Sequence, residues 1–192
     1  YLEKIKQMNQ KTAYLHTCIF LQTLNSLRQP FDTDMLSDTT TFFGKHYNDC
    51  DSKTLHKAGN DHTALCIEHF NRMLMSYLVG HYKDALQQSE TAERYLNGLV
   101  SSAYIPVFYF FDSLVRLALV CDGGQSGIID KAAYLEKIAT NQQKLKRWAE
   151  HCPDNYANKY QLVEAELAAL EKDRSLEVIE KYQYAISLAM ES

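Results

Sequence analysis

The stretch NDHTALCIEHFNRMLMSYLVGHYKDALQQSETAERYLNG, residues 60–98, decides the fold. Asn60-Asp61 offers a short polar side chain to the free amides that open a helix. Ile67, Phe70, Leu74, Tyr77 and Leu78 then recur at three- and four-residue spacing, which predicts one buried helical face running to Val79. Gly80-His81-Tyr82 interrupts the pattern. From Tyr82 to Tyr95 a second helix is expected, on which Ala85, Ser89 and Ala92 recur as small residues that let two helices approach closely. Asn97-Gly98 is suited to the left-handed conformation beyond a helix C-terminus. The whole reads as one antiparallel helical hairpin.

Working outward, Leu2, Ile5, Met8, Leu15, Ile19 and Phe20 keep a helical period and predict one long helix over residues 1–28, ending near Pro30. Between residues 29 and 60 the pattern weakens, with Asp32, Asp34, Asp38 and Asn48-Asp49, and an irregular connector with one or two short helical turns is expected. Downstream, Pro106 fits a first helical turn, followed by Phe108, Phe111, Leu114, Val115 and Leu119 up to Asp122-Gly123-Gly124. A helix over residues 128–151 carries Leu135, Ile138, Leu145 and Trp148 on one stripe, and Pro153 marks its end. Residues 154–172 and 174–190 complete a last hairpin around Asp173.

Three prolines and seven glycines punctuate 192 residues rich in helix formers, and 46% of the chain is hydrophobic. That is enough apolar material for one substantial core. The expectation is an all-α chain, one helical domain over residues 1–192 with stacked antiparallel hairpins over 61–192. Because the chain begins at Tyr1 within a helical pattern, it reads as a fragment of a longer protein.

A formal net charge of -4 supplies no broad positive field for a nucleic-acid backbone. The densest basic run, Lys144, Lys146 and Arg147, reads as a solvated helix end that complements the dipole. The longest apolar stretch, Ile105 to Val120, contains Pro106, Asp112, Ser113 and Arg116, so a buried central helix explains it better than a membrane span. Asp112 and Arg116, four apart, are placed to pair. Five cysteines without paired spacing point to reduced thiols and a cytoplasmic setting.

Gly80, Tyr82, Ala85 and Ala92 match the second-helix half of a tetratricopeptide unit, and Tyr182, Ala185 and Ala189 echo it more weakly. No Trp or Leu-Gly pair opens either unit. A degenerate tetratricopeptide-like right-handed superhelix of about three hairpins follows from that partial match.

His62, Cys66 and His69 share one helix face, and imidazole with thiolate suits zinc, yet no fourth ligand is evident nearby. A small core Cys between surface histidines is the plainer account. No nucleophile elbow, zinc-protease motif or phosphate loop occurs, and Glu164, Glu166, Glu171 and Glu177 read as solvated faces and caps. Neither a catalytic residue nor a cofactor is assigned. If a peptide lies along the inner surface of stacked hairpins, helical phase nominates Asn71, Tyr77, Tyr160 and Glu164 to touch it, against the alternative of bare helix faces.

Six ordered segments share a resemblance: Asn60-Asp61-x-Thr63-Ala64-Leu65, Tyr77-Leu78-x-Gly80-x-Tyr82-x-x-Ala85, Ala92-Glu93-x-Tyr95-Leu96-x-Gly98, Pro106-Val107-Phe108-Tyr109-Phe110-Phe111-Asp112-Ser113-Leu114, Asn141-Gln142-x-Lys144-x-Lys146-x-Trp148-Ala149, and Lys159-Tyr160-x-Leu162-Val163-Glu164-Ala165-Glu166. Together they are similar to the helical region of large multidomain bacterial signalling kinases, the multi-sensor signal transduction multi-kinases. The resemblance covers residues 1 to about 189. It implies a Ser/Thr kinase domain and an AAA-type ATPase domain before this region, and a GAF sensor domain and histidine kinase after it. It further implies a non-catalytic scaffold whose partners are proteins, either neighbouring domains or a signalling partner. The connector 29–51 and the Cys152-Pro153-Asp154-Asn155 turn depart from the family pattern. A ligand- or metal-sensing helical domain is the alternative function.

Overall fold

A computed structural model of the chain describes residues 2–8, 10–28, 47, 49–122, 130–172 and 175–191. Among the described residues the regular structure is entirely helical. The helices gather into two compact units, residues 1–102 and 103–192.

In the first unit α1 (Leu2–Gln7), α2 (Lys11–Arg28), α3 (Asp49–Ala58), α4 (His62–Leu78) and α5 (Tyr82–Glu93) are followed by a 3-10 turn, Leu96–Leu99. The long N-terminal helix expected over 1–28 is two helices instead. The amide of Gln10 bonds to the carbonyl of Ile5, one residue beyond helical spacing, and the carbonyl of Gln10 starts the next ladder at Tyr14. Met8 at the junction is 70% exposed, so its side chain contributes no burial to hold the junction helical. Within the expected connector, residues 49–58 form α3 rather than isolated turns, and residues 29–46 lie outside the described part.

α4 is the axis of this unit, with α2, α3, α5 and the 3-10 turn all packed on it. Its start is fixed by Asp61, whose carboxylate accepts from the amide of Ala64 at 3.0 Å. Its end is a Schellman turn: Gly80 takes φ +81°, its amide donates to Tyr77, and the amide of His81 reaches back to Ser76. Asn60, at φ 48°, closes α3 the same way, with the amides of Asn60 and Asp61 donating to Lys57 and His56. The chain then reverses into α5, which sets fully buried Ala85, Ser89 and Ala92 against α4.

One local expectation is corrected. Asn97-Gly98 does not close α5 in a left-handed conformation; α5 ends at Glu93, and both residues sit in the 3-10 turn. Gly98 is needed for a different reason. A Cβ there would lie 2.6 Å from the backbone of His62 and Thr63, so the turn lies directly on the first turn of α4. The hydroxyl of Thr63 donates to the Gly98 carbonyl at 2.7 Å across this contact.

The second unit holds α6 (Tyr104–Cys121), α7 (Lys131–His151), α8 (Pro153–Lys172) and α9 (Leu176–Glu191). α7 packs on α6 and α8, α8 on α9, and α6 also touches α8. Cys152 alone separates α7 from α8, and Pro153 occupies the first turn of α8, where its missing N–H costs nothing. Asp130 caps α7 by accepting from Ala133. Residues 123–129 and the expected turn at Asp173 lie outside the described part.

α6 has the length and composition of a membrane span, with a mean hydropathy of 1.6 over 18 residues. It is a core helix by its contacts. Half of it is buried, and its buried residues include Asp112, Ser113 and Arg116. Phe108, Val115, Leu117, Ile138, Leu145 and Val163 form the apolar centre.

Candidate functional site

The residues nominated for zinc face α5 and the 3-10 turn that follows it. His62 Nδ1 meets Asn97 Oδ1 at 3.1 Å, the Cys66 thiol donates to the Ala92 carbonyl at 3.5 Å, and His69 Nδ1 meets Gln88 Oε1 at 2.7 Å. Tyr95 lies against both imidazoles, with ring centroids 5.4 Å and 6.3 Å away. Burial pushes the Cys66 thiol up to about 12, far from the thiolate a metal needs. No group of three or more His, Cys, Asp or Glu side chains fit to hold a metal occurs among the described residues. These three side chains zip the hairpin together.

Of the four residues nominated for peptide contact, Asn71 and Tyr77 lie in the first unit and Tyr160 and Glu164 in the second. Asn71 is buried at 4% exposure. Tyr77, partly exposed, tilts against Tyr82 across the Gly80 turn. Tyr160 and Glu164 lie on α8 and face α7: Gln142 donates to the Glu164 carboxylate at 2.7 Å and to the Tyr160 carbonyl at 3.2 Å.

Two polar networks join local i,i+4 ion pairs to partners far away in sequence. In the first unit, His16 Nε2 donates to the Asp61 carboxylate at 3.0 Å, and His56 Nδ1 lies 3.3 Å from the same group. Burial alone would raise Asp61, but the Ala64 amide and the two imidazoles outweigh it and hold its carboxyl below the usual range. His56, 1% exposed, is pushed down by burial against the opposing pull of Asp61. Beside it, stacked on the His56 ring, Tyr47 donates its hydroxyl to Glu68 at 2.8 Å. Glu68 also pairs with Arg72 at 3.0 Å and is fully buried. This network fastens α2, α3 and Tyr47 onto α4.

In the second unit, Arg116 Nε donates to both oxygens of Asp112 at 3.1 Å, and Asn141 of α7 donates to Asp112 at 2.7 Å and to Ser113 at 3.3 Å. Lys144, from the basic run, lies 3.8 Å over the Tyr109 ring and so helps to seat α7 on α6.

What remains open is the α9 side of this unit. A cavity of about 290 Å³ is lined by Phe110, Leu162, Ala185, Ile186 and Ala189, with Asn158 and Lys159 at its polar end. Burial lowers the pKa of Lys159, whose ammonium donates to the Asn155 carbonyl at 2.8 Å. From the cavity wall at Ile186 the apolar surface continues along α9 through Leu176, Ile179 and Met190, exposed at 72%, 47% and 82%. Val178 and Ala185 are the buried positions of the same helix. Sequence reading missed this flank, although its signal is plain: Leu176, Ile179, Ile186 and Met190 keep helical spacing at an angle to Val178 and Ala185, giving α9 two apolar faces.

No protein-family model matches the chain, and neither a curated protein nor a solved structure matches it.

Proposed function

We propose that this chain is a non-catalytic, cytoplasmic regulatory scaffold of a large signalling kinase or ATPase, acting through protein–protein or interdomain contacts. The observation that carries the reading is the flank of α9 beside its cavity, where Leu176, Ile179, Ile186 and Met190 are exposed on one side of the helix, since clustered exposed apolar side chains mark an interaction site. Helices paired through short connections support the finer architecture, a degenerate tetratricopeptide-like stack of hairpins. In such a stack each hairpin contacts its neighbours, and small shifts at each interface alter the whole curvature. Binding at one end thereby biases the attitude of a domain at the other.

The resemblance to multi-sensor signalling kinases names the domains to test. The phosphotransfer rate of the kinase domain encoded in the same reading frame is measured with and without the separately purified 192-residue chain. A reproducible change in rate or in substrate affinity supports the scaffold. A reading frame without a kinase or ATPase domain, or a rate indifferent to the added chain, overturns it.

A further inference from the structure

The exposed residues of α9 have a symmetry that suits one occupant. Leu176, Ile179, Gln183, Ile186 and Met190 follow each other at intervals of three, four, three and four along the exposed flank. An alternation of three and four is the seam of a left-handed helix pair, with Gln183 at its middle. Read backwards from Gln183, the seam nearly reproduces itself: Leu176 and Met190 lie seven residues to either side, and Ile179 and Ile186 lie four and three away. We propose that this flank docks a second copy of the chain, α9 against α9 in antiparallel register, with the two Gln183 side chains meeting on the twofold axis. The proposal rests on reading the flank as an interaction surface and names its partner.

Chemistry at the centre favours a like partner. A carboxamide both donates and accepts, so Gln183 satisfies its own symmetry mate without any further group. Around it, Ile179 of one copy meets Ile186 of the other, and Leu176 meets Met190, as an isologous contact requires. Neither edge of the seam sets like charges face to face. Glu180 and Ser187 border one side, Tyr182 and Ala189 the other, and Ala189 opens into the cavity beside Ile186.

Area sets the strength. At their exposures, the four apolar side chains remove roughly 300–500 Å² per copy from water, against about 800 Å² per partner in a standard stable interface. The pair is therefore weak, and its dimer is populated only at high chain concentration.

Sedimentation equilibrium of the 192-residue chain, from about 10 to about 500 µM, reads this directly. The weight-average mass is expected to climb from 22.1 kDa toward twice that value. Ile179→Glu with Ile186→Glu, both at exposed positions, is expected to hold the monomer mass throughout while leaving helical circular dichroism unchanged; Gln183→Lys, which sets two ammonium groups on the axis, does the same should the double variant misfold. Register is read by oxidation. Gln183→Cys is expected to give a covalent dimer bridged at 183 by mass spectrometry, and Met190→Cys no bridge at 190, with the unaltered chain and its exposed Cys121 as baseline. A wild-type chain that stays monomeric, a double variant that still dimerises, or a bridge at 190 without one at 183 overturns the proposal. A monomeric wild type leaves the scaffold reading to the phosphotransfer test, so the two failures are distinguishable.

Discussion

Asn141 donates to the Asp112 carboxylate over 2.7 Å in the core of the second unit, tying an ion pair internal to α6 onto α7. Asp112 is 1% exposed and Arg116 6%, so neither charge has water to fall back on. Such a pair is costly to bury and much costlier to leave incomplete.

Asn141→Leu is accordingly expected to lower unfolding stability by about 2 kcal/mol, because it removes a buried donor from a carboxylate that stays. Urea denaturation monitored by circular dichroism gives the number. A loss under about 0.5 kcal/mol contradicts the role assigned to this bond.

Burial of His56, which outweighs the pull of Asp61, predicts an acid limb. The native state holds the His56 pKa below its unfolded value of 6.5, so below that pH the unfolded chain binds more protons and stability falls. The loss proceeds from about pH 6.5 down through the lowered native pKa. Asp61, also lowered, adds its loss only in the more acidic range below 3.8. His56→Gln is expected to flatten the first limb and largely keep the second, which thermal melts between pH 7 and about pH 2 resolve.

Two glycines separate two kinds of constraint. Gly98→Ala drives a methyl into the backbone of His62 and Thr63 and is expected to cost about 2 kcal/mol or more. Gly80→Ala meets no atom within 4 Å and is strained only by its φ of +81°, so about 1 kcal/mol is expected. Equal losses in chemical denaturation contradict the close approach of the 3-10 turn.

Thiol reactivity reports the α4–α5 hairpin. Cys121 is exposed, whereas Cys66 is buried with its pKa raised to about 12. Iodoacetamide under native conditions is expected to label Cys121 at least ten times faster than Cys66. Comparable labelling indicates that α5 does not cover α4 as described.

Much of the helical content was legible because its signals are local. Asp61 names a start, Gly80 a stop, and Ala85, Ser89 and Ala92 a contact face, each by chemistry confined to a turn or two. The break before Lys11 and the helix α3 were not legible, since weak periodicity leaves burial by distant residues to decide. Gly98 misled for a related reason: its local chemistry suits a left-handed cap, but its role is set by a backbone 35 residues away. The candidate surface divides the same way. Asp112 and Arg116 could be paired from their spacing, whereas the bonds from His16 to Asp61, 45 residues apart, and from Asn141 to Asp112, 29 apart, exist only in the folded chain. The second apolar face of α9 was visible in the spacing itself, and was obscured because a helix with two apolar faces looks locally like one with a broad buried face.

The central claim is that the α9 flank is where this molecule touches other polypeptides, and Met190, 82% exposed in the chain described, is its natural probe. Its rate of oxidation to the sulfoxide by dilute peroxide is compared between the dilute 192-residue chain and the longest natural polypeptide that contains this sequence. The account predicts several-fold protection of Met190 in the longer protein, with exposed Met8 as the internal reference. Equal rates at Met190 in both would contradict it.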